Sequence, residues 1–239
     1  MPEKAVNAKG SIRNKLRVLL DPELRAIRRL IEHEKKNSIE TDPVVLESDN
    51  VFINRIETFP LALKMSFWER HFELESLREF EEIHGHILDF GCGSGHLALM
   101  LARKGMVVHG IDLSRIGISI ANFLKAKENA QVQSRLSFEI VDVTKQDRKS
   151  DLFDSAWSAH VFEHIANPGP VLAGLRTWLK PEAHLLISVP RGFAYDDPGH
   201  VNHFGTGEEL RTFLSPYVTV KRISVSEPYS VIRALCSFN

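Results

Sequence analysis

The stretch His86–Gly105, HILDFGCGSGHLALMLARKG, decides the reading of this chain. A short apolar run ends in Asp89, glycines at Gly91, Gly93 and Gly95 alternate with Cys92 and Ser94, and an apolar helical pattern follows. Strand, glycine turn and helix start therefore come in that order. Glycines let the backbone take positive φ and let a ligand lie directly on the main chain. The helix start turns its free N–H groups and positive dipole end into the same space. Such a turn can hold a carboxylate, a ribose or a phosphate. A Walker loop is excluded, because no Gly-Lys-Ser/Thr follows. The dinucleotide pattern G-x-G-x-x-G needs glycine where His96 stands. Asp89, just ahead of the loop, would repel a pyrophosphate and welcome an amino group.

Outward from this loop, strand and helix patterns alternate. Apolar runs at His86–Phe90, Met106–Ile111, Leu136–Val141, Phe153–Ser158 and His184–Val189 read as strands. Helical patterns fill Gly95–Lys104, Ser114–Asn129 and Pro168–Lys180, with a short turn at Thr144–Lys149. Alternation of this kind predicts a parallel sheet covered on both faces. Two further runs, YVTVKRISV and SVIRALCSF, flank Glu227-Pro228 and read as an antiparallel hairpin at the sheet edge. The expectation is an α/β, Rossmann-like, seven-stranded mixed sheet: five parallel strands plus the terminal hairpin, flanked by helices. It occupies residues 83–239.

Residues 1–82 read as a helical N-terminal extension and substrate cap. Ile12, Leu16, Leu19 and Leu20 share a helical face, and Asp21-Pro22 starts a second helix with Leu24, Ile27, Leu30 and Ile31 inward. Thr41-Asp42-Pro43 marks a break. A third helical pattern covers Leu61–Glu82, with Trp68, Phe72 and Phe80 as bulky members.

The 239 residues carry 43% hydrophobic and 26% charged side chains with a formal net charge of -1. That balance leaves no overall field to attract nucleic acid or an anionic membrane. Cys92 and Cys236 cannot build a disulfide framework. No apolar run approaches the ~20 residues of a membrane span, and the N-terminus lacks the apolar core of a secretory signal. A cytoplasmic protein, monomer or homodimer, is the expectation.

Two more acids complete the pattern. Asp112 follows the second strand run, placed to accept ribose hydroxyls. Asp142 follows the third, where an adenine amino group would lie. With ILDFGCGSG, VHGIDLS, VDVT and the block from Phe153 to Pro190 in order, the chain resembles the class I S-adenosylmethionine-dependent methyltransferases from about Ile83 onward. The resemblance implies S-adenosylmethionine as cofactor, with Asp89 at its amino group and Gly91, Cys92, Gly93 and Gly95 beneath its methionine and ribose. It further implies Asp112 and Leu113 at the ribose, Asp142 and Val143 at the adenine, and His160 beside the cofactor.

The turn after the fourth strand, WSAHVFEHIANP, brings His160, Glu163 and His164 to the carboxyl edge of the sheet, where ligands bind in open α/β folds. A metalloprotease reading fails, because Pro168 stops the continuous helix that motif needs. Parts of the family carry Glu-x-x-Glu-His here, implicated in divalent-metal binding; His160 replaces the first glutamate. If the turn is helical, the three side chains share a face. Two histidines favour zinc or iron(II) over magnesium. Framework packing is the default reading of this turn, with metal binding or proton transfer by His160 or His164 as alternatives. In the next polar loop, His200 and His203 can act as base, orient substrate or complete a metal site. Arg191 and Tyr195 can meet an anionic or aromatic substrate.

Methyl transfer from a sulfonium is one in-line displacement, so no nucleophilic Ser or Cys constellation is needed. The expected function is methyl transfer to O, N or C of a small-molecule metabolite. The alternatives are an RNA or protein methyltransferase docking through Arg13, Lys15, Arg17, Arg25, Arg28 and Arg29, or a cofactor-binding regulator or scaffold without transferase activity.

Overall fold

The computed structural model describes residues 21–38, 42–58, 80–146, 152–192, 199–227 and 230–238. Helices α1 (Pro22–Asn37) and α2 (Pro43–Thr58) come first. The core then runs β1 (His86–Phe90), α3 (His96–Arg103), β2 (Val107–Asp112), α4 (Arg115–Lys125), α5 (Ala130–Gln133), β3 (Leu136–Ile140) and β4 (Phe153–Ala159). A 3-10 turn (Phe162–His164), α6 (Pro168–Trp178), β5 (Leu179–Pro190), α7 (Gly207–Leu214), β6 (Thr219–Ser226) and β7 (Val231–Ser237) follow.

All seven strands form one sheet in the order β3-β2-β1-β4-β5-β7-β6. The first five are parallel, and β7 runs antiparallel to both β5 and β6. The expected mixed sheet is therefore the observed one. Its hairpin folds back so that β7, the last strand in sequence, sits inside β6.

Alternation along each strand divides the core into two layers. Ile87, Val108, Trp157, Leu186 and Leu235 pack on one face with α1, α3 and α4. Leu88, Ile111, Ala156, Leu185 and Ala234 pack on the other with α6 and α7. Asp21 caps α1 by accepting from the Glu23 and Leu24 amides at 3.0 and 3.2 Å, and Leu24, Ile27 and Ile31 are buried as their spacing predicts.

Several boundaries differ from the sequence reading. The helix expected over Ser114–Asn129 ends at Lys125, and Asn129 caps the separate α5. Asp42-Pro43 does not merely interrupt the chain: Asp42 Oδ1 accepts from the Val44 amide at 2.9 Å at the start of the unanticipated α2. α7 was also unanticipated, although Thr206 and Glu209 form a capping box legible in the sequence. The helical patterns of Ser11–Leu20 and most of Leu61–Glu82, with Trp68 and Phe72, lie outside the described residues; Phe80 is buried, with the Arg222 guanidinium 4.6 Å from its ring centre. Arg13, Lys15 and Arg17 also lie outside them, while Arg25, Arg28 and Arg29 are exposed. Among the described residues, no helix is long and apolar enough to cross a membrane.

Candidate functional site

The carboxyl ends of β3, β2, β1, β4 and β5 stand side by side, so Asp142, Asp112, the glycine loop, the His160 turn and Arg191 line one edge in spatial order. The loop is held by its neighbour strand: Gly91 and Cys92 amides donate to the Ile111 carbonyl at 2.9 and 3.0 Å. Gly91 and Gly95 have φ of 72° and 74°. A Cβ on Gly91 would fall 2.3 Å from Val161 Cγ2, so glycine there also lets the His160 turn pack against the loop. Gly95 begins α3 without a side-chain cap.

Asp89 supplies what Gly95 lacks. Its carboxyl takes a hydrogen bond from the Ala98 amide in the first turn of α3, yet it is 2% exposed and its Oδ2 has no hydrogen-bond partner among the described residues. Burial, with Asp112 nearby, pushes its pKa up to about 7 against the Ala98 hydrogen bond. A buried carboxylate with one unanswered oxygen is a socket for a cation or donor.

Asp112 accepts from the Gly93 amide at 2.8 Å through Oδ2 and from the Ser114 amide at 2.7 Å through Oδ1. It thus fixes the middle of the loop, and a carboxylate, an acceptor at both oxygens, suits ligand hydroxyls at this edge. Leu113 beside it is partly exposed. Asp142 accepts from the Thr144 amide and hydroxyl at 2.9 and 2.6 Å, and Lys145 lies 3.2 Å from its Oδ2. Burial opposes its ionisation, but the Thr144 and Lys145 bonds prevail and hold its carboxyl below the usual range. Val143 is buried, its carbonyl packed closely on Gly174 of α6. Cys92 is buried, and desolvation reinforced by Asp89 and Asp112 pushes its thiol up, which leaves it no role as a nucleophile.

Sequence reasoning did not find how α2 reaches this edge. Buried Asp49 accepts from the Ser114 hydroxyl at 2.8 Å and the Ile116 amide at 3.1 Å, and pairs with Arg115 at 2.9 Å. Lys145 bridges Asp142 to Asp42 at 3.0 Å. Both acids assigned to the adenosine are thereby tied to α2. No spacing signal could have shown this, since the partners are distant in sequence.

After β4 the chain makes a sharp turn. His160 has φ of 59°, a strained left-handed backbone for a non-glycine residue, and its amide donates to the Ser188 carbonyl at 2.9 Å. The 3-10 turn that follows is too short to set His160, Glu163 and His164 on one helical face. It buries Glu163, 1% exposed, and surrounds its Oε1 with His160 Nδ1 at 3.6 Å and with His164 Nε2 and His200 Nε2 at 3.9 Å. Burial raises the cost of its charge, yet His160 and His164 hold its carboxyl below the usual range. One ligand atom each from Glu163, His164 and His200 lies within 4.8 Å of the others. His203 is exposed, its ring centre 6.0 Å from that of His200. Arg191 donates to the Gly205 carbonyl and pairs with Glu227. Tyr195 lies outside the described residues.

Comparison with known proteins accords with this geometry. Residues 65–216 match the family described as "Methyltransferase domain". A ubiquinone biosynthesis O-methyltransferase of Acinetobacter baumannii (strain ACICU) is 25% identical over 152 residues, covering 58% of this chain and 63% of the relative. The chain thus matches less than two thirds of that relative's length. In structure, a SAM-dependent methyltransferase from Aquifex aeolicus aligns over 82% of this chain and 98% of its own, with TM-score 0.56 and 19% identity. The glycopeptide N-methyltransferase MtfA, in complex with S-adenosyl-L-methionine, aligns over 69% and 93%, with TM-score 0.55 and 16% identity. The chain belongs to the methyltransferase-domain family and has the Rossmann-like fold of the class I S-adenosylmethionine-dependent methyltransferases.

Proposed function

We propose that this protein is an S-adenosylmethionine-dependent methyltransferase that alkylates an O, N or C atom of a small molecule by in-line displacement. The observation that carries the reading is the buried, unanswered Asp89 Oδ2 beside a glycine loop whose centre is pinned by Asp112. A nucleoside with a free amino-acid tail answers both: its ammonium meets Asp89, its ribose hydroxyls meet Asp112. The residues present fit the cofactor on these grounds. Gly91, Gly93 and Gly95 would floor the methionine, and Leu113, Asp142 and Val143 would border the adenine, Asp142 sharing its charge with Lys145.

When bound, the sulfonium supplies an activated methyl group. The protein's own work is alignment and exclusion of water, which contributes on the order of 7–11 kcal/mol in well-oriented reactions. His160, partly exposed beside the glycine loop, is the candidate to accept the acceptor's proton. His164 and His200 approach the same Glu163 oxygen as His160 does.

Similarity to a ubiquinone biosynthesis O-methyltransferase and to the glycopeptide N-methyltransferase MtfA supports a small-molecule acceptor. One neighbour of TM-score 0.54 is a [4+2]-cyclase, SpnF, so the fold alone does not fix the reaction. Calorimetric titration with S-adenosylhomocysteine tests the binding half. Saturable one-to-one binding is expected; binding of NADH or ATP with none of the thioether nucleoside overturns the reading.

A further inference from the structure

Strand β7 carries a charge in the middle of an apolar layer. Alternation along the strand puts Arg233 and Leu235 on the face of Trp157 and Leu186, and Ile232 and Ala234 on the other. Arg233 is 4% exposed, and burial pulls its pKa down to about 10. An apolar side chain of similar volume would serve such a layer as well or better. Packing alone therefore gives no reason for a guanidinium at this position.

The register says what lies around it. Arg233 pairs with Ser188 of β5 and with Ser224 of β6, and Ser188 pairs with Ala159 of β4. Ala159, Ser188, Arg233 and Ser224 thus form one row across β4, β5, β7 and β6. Ser188 Oγ accepts from Trp157 Nε1 at 3.2 Å, and the Ser188 carbonyl accepts from the His160 amide at 2.9 Å. The row accordingly ends at the His160 turn, where Ala159 and His160 are partly exposed.

Asp89 belongs to the same face. It lies two residues beyond Ile87 of that layer and pairs in register with Trp157. A carboxylate on β1 and a guanidinium on β7 therefore share one face, with β4 and β5 between them. In the proposed function Asp89 meets the cofactor's ammonium and His160 takes the acceptor's proton. The acceptor then occupies the stretch of this face from the His160 turn to Arg233. β4 and β7 are two strand spacings apart, about 10 Å, the length of a one-ring molecule with a substituent at each end.

We infer that Arg233 binds a carboxylate of the methyl acceptor, so that the substrate class is a small carboxylic acid with its O, N or C nucleophile at the opposite end. This rests on the methyltransferase reading and deepens it. A guanidinium meets a carboxylate through two parallel N–H···O bonds, and away from bulk water such a pair is stronger than at a surface. One guanidinium balances one negative charge, which suits a carboxylate better than a doubly charged phosphate. The Ser188 and Ser224 hydroxyls, in register on either side, are further donors of the right kind for an anion.

The test titrates benzoate, benzamide and inorganic phosphate by calorimetry into the full chain saturated with S-adenosylhomocysteine. Benzoate and benzamide share a shape and differ in charge. The expected result is a preference for benzoate of about 10-fold or more, as hydrogen bonds to a charged group provide, with phosphate weaker than benzoate. Arg233→Met should abolish the preference and Arg233→Lys, which keeps the charge but loses the fork, should reduce it. Both should keep their affinity for S-adenosylhomocysteine, and circular dichroism checks that each folds. Should Arg233→Met fail to fold, Arg233→Lys and the wild-type preference decide. Equal binding of benzoate and benzamide by the wild-type chain, tighter binding of phosphate, or an undiminished preference in the folded Arg233 variants overturns the inference and leaves the methyltransferase reading standing. Failure of the wild-type chain to bind S-adenosylhomocysteine overturns that reading, and this inference with it.

Discussion

Asp89 couples cofactor binding to protons. Its buried carboxyl has a pKa pushed up to about 7, and only the ionised form attracts a ligand ammonium. At pH 5 about 1% of such a group is ionised and at pH 7 about half, so S-adenosylhomocysteine should bind about 50-fold more tightly at pH 7, roughly 2 kcal/mol. Calorimetry in buffers of different ionisation enthalpy reads both the affinity and the proton released on binding near pH 6. The same shift acts on the empty protein with the opposite sign. A carboxyl with a raised folded-state pKa contributes stability that is full below its unfolded value near 3.8 and is lost as pH rises through about 7. Ligand-free protein should therefore lose stability between pH 4 and 7 while nucleoside affinity rises. Asp89→Asn should flatten both trends. Equal affinity at pH 5 and 7 with no proton release would refute the assignment of the ammonium to Asp89.

Three further outcomes follow from the packing. Asp49→Ala removes the acceptor shared by Ser114, Ile116 and Arg115, and should cost about 3 kcal/mol in urea unfolding, as breaking a buried ion pair does; it should also weaken S-adenosylhomocysteine binding, because Ser114 is bonded to Asp112. Gly91→Ala forces a Cβ into Val161 on a left-handed backbone, so about 1–2 kcal/mol of strain plus the clash should appear as a lower unfolding midpoint. Asp112→Ala should lower S-adenosylhomocysteine affinity by about 1–3 kcal/mol in calorimetry, since both a ligand carboxylate and the brace on the Gly93 amide are lost.

The glycine loop was legible because local chemistry forces it. Glycine takes the φ values at Gly91 and Gly95 without the strain a side chain would meet there, and Asp89 and Asp112 sit at strand ends whose apolar runs are strong. α7 carried a readable signal in Thr206 and Glu209. α2 did not: PVVLESDNVFINRIET holds five β-branched aliphatic residues, Val44, Val45, Val51, Ile53 and Ile56, whose weak helix preference is overridden by Asp49 docking on α4.

By itself, then, the sequence determined the alternation of strands and helices, the mixed sheet with its terminal hairpin, and the placing of Asp89, Asp112 and Asp142 with the glycine loop at the carboxyl ends of β1, β2 and β3. Each of these depends on residues close together in the chain, where backbone preference and apolar period act locally. Only the tertiary structure decided that His200, from the loop after β5, joins His160 and His164 around the Glu163 carboxylate. It also decided that α2 is tied to Asp112 and Asp142 through Asp49, Ser114 and Lys145. Such contacts form between segments distant in sequence, brought to one sheet edge by burial of the two apolar layers, and no local spacing encodes them.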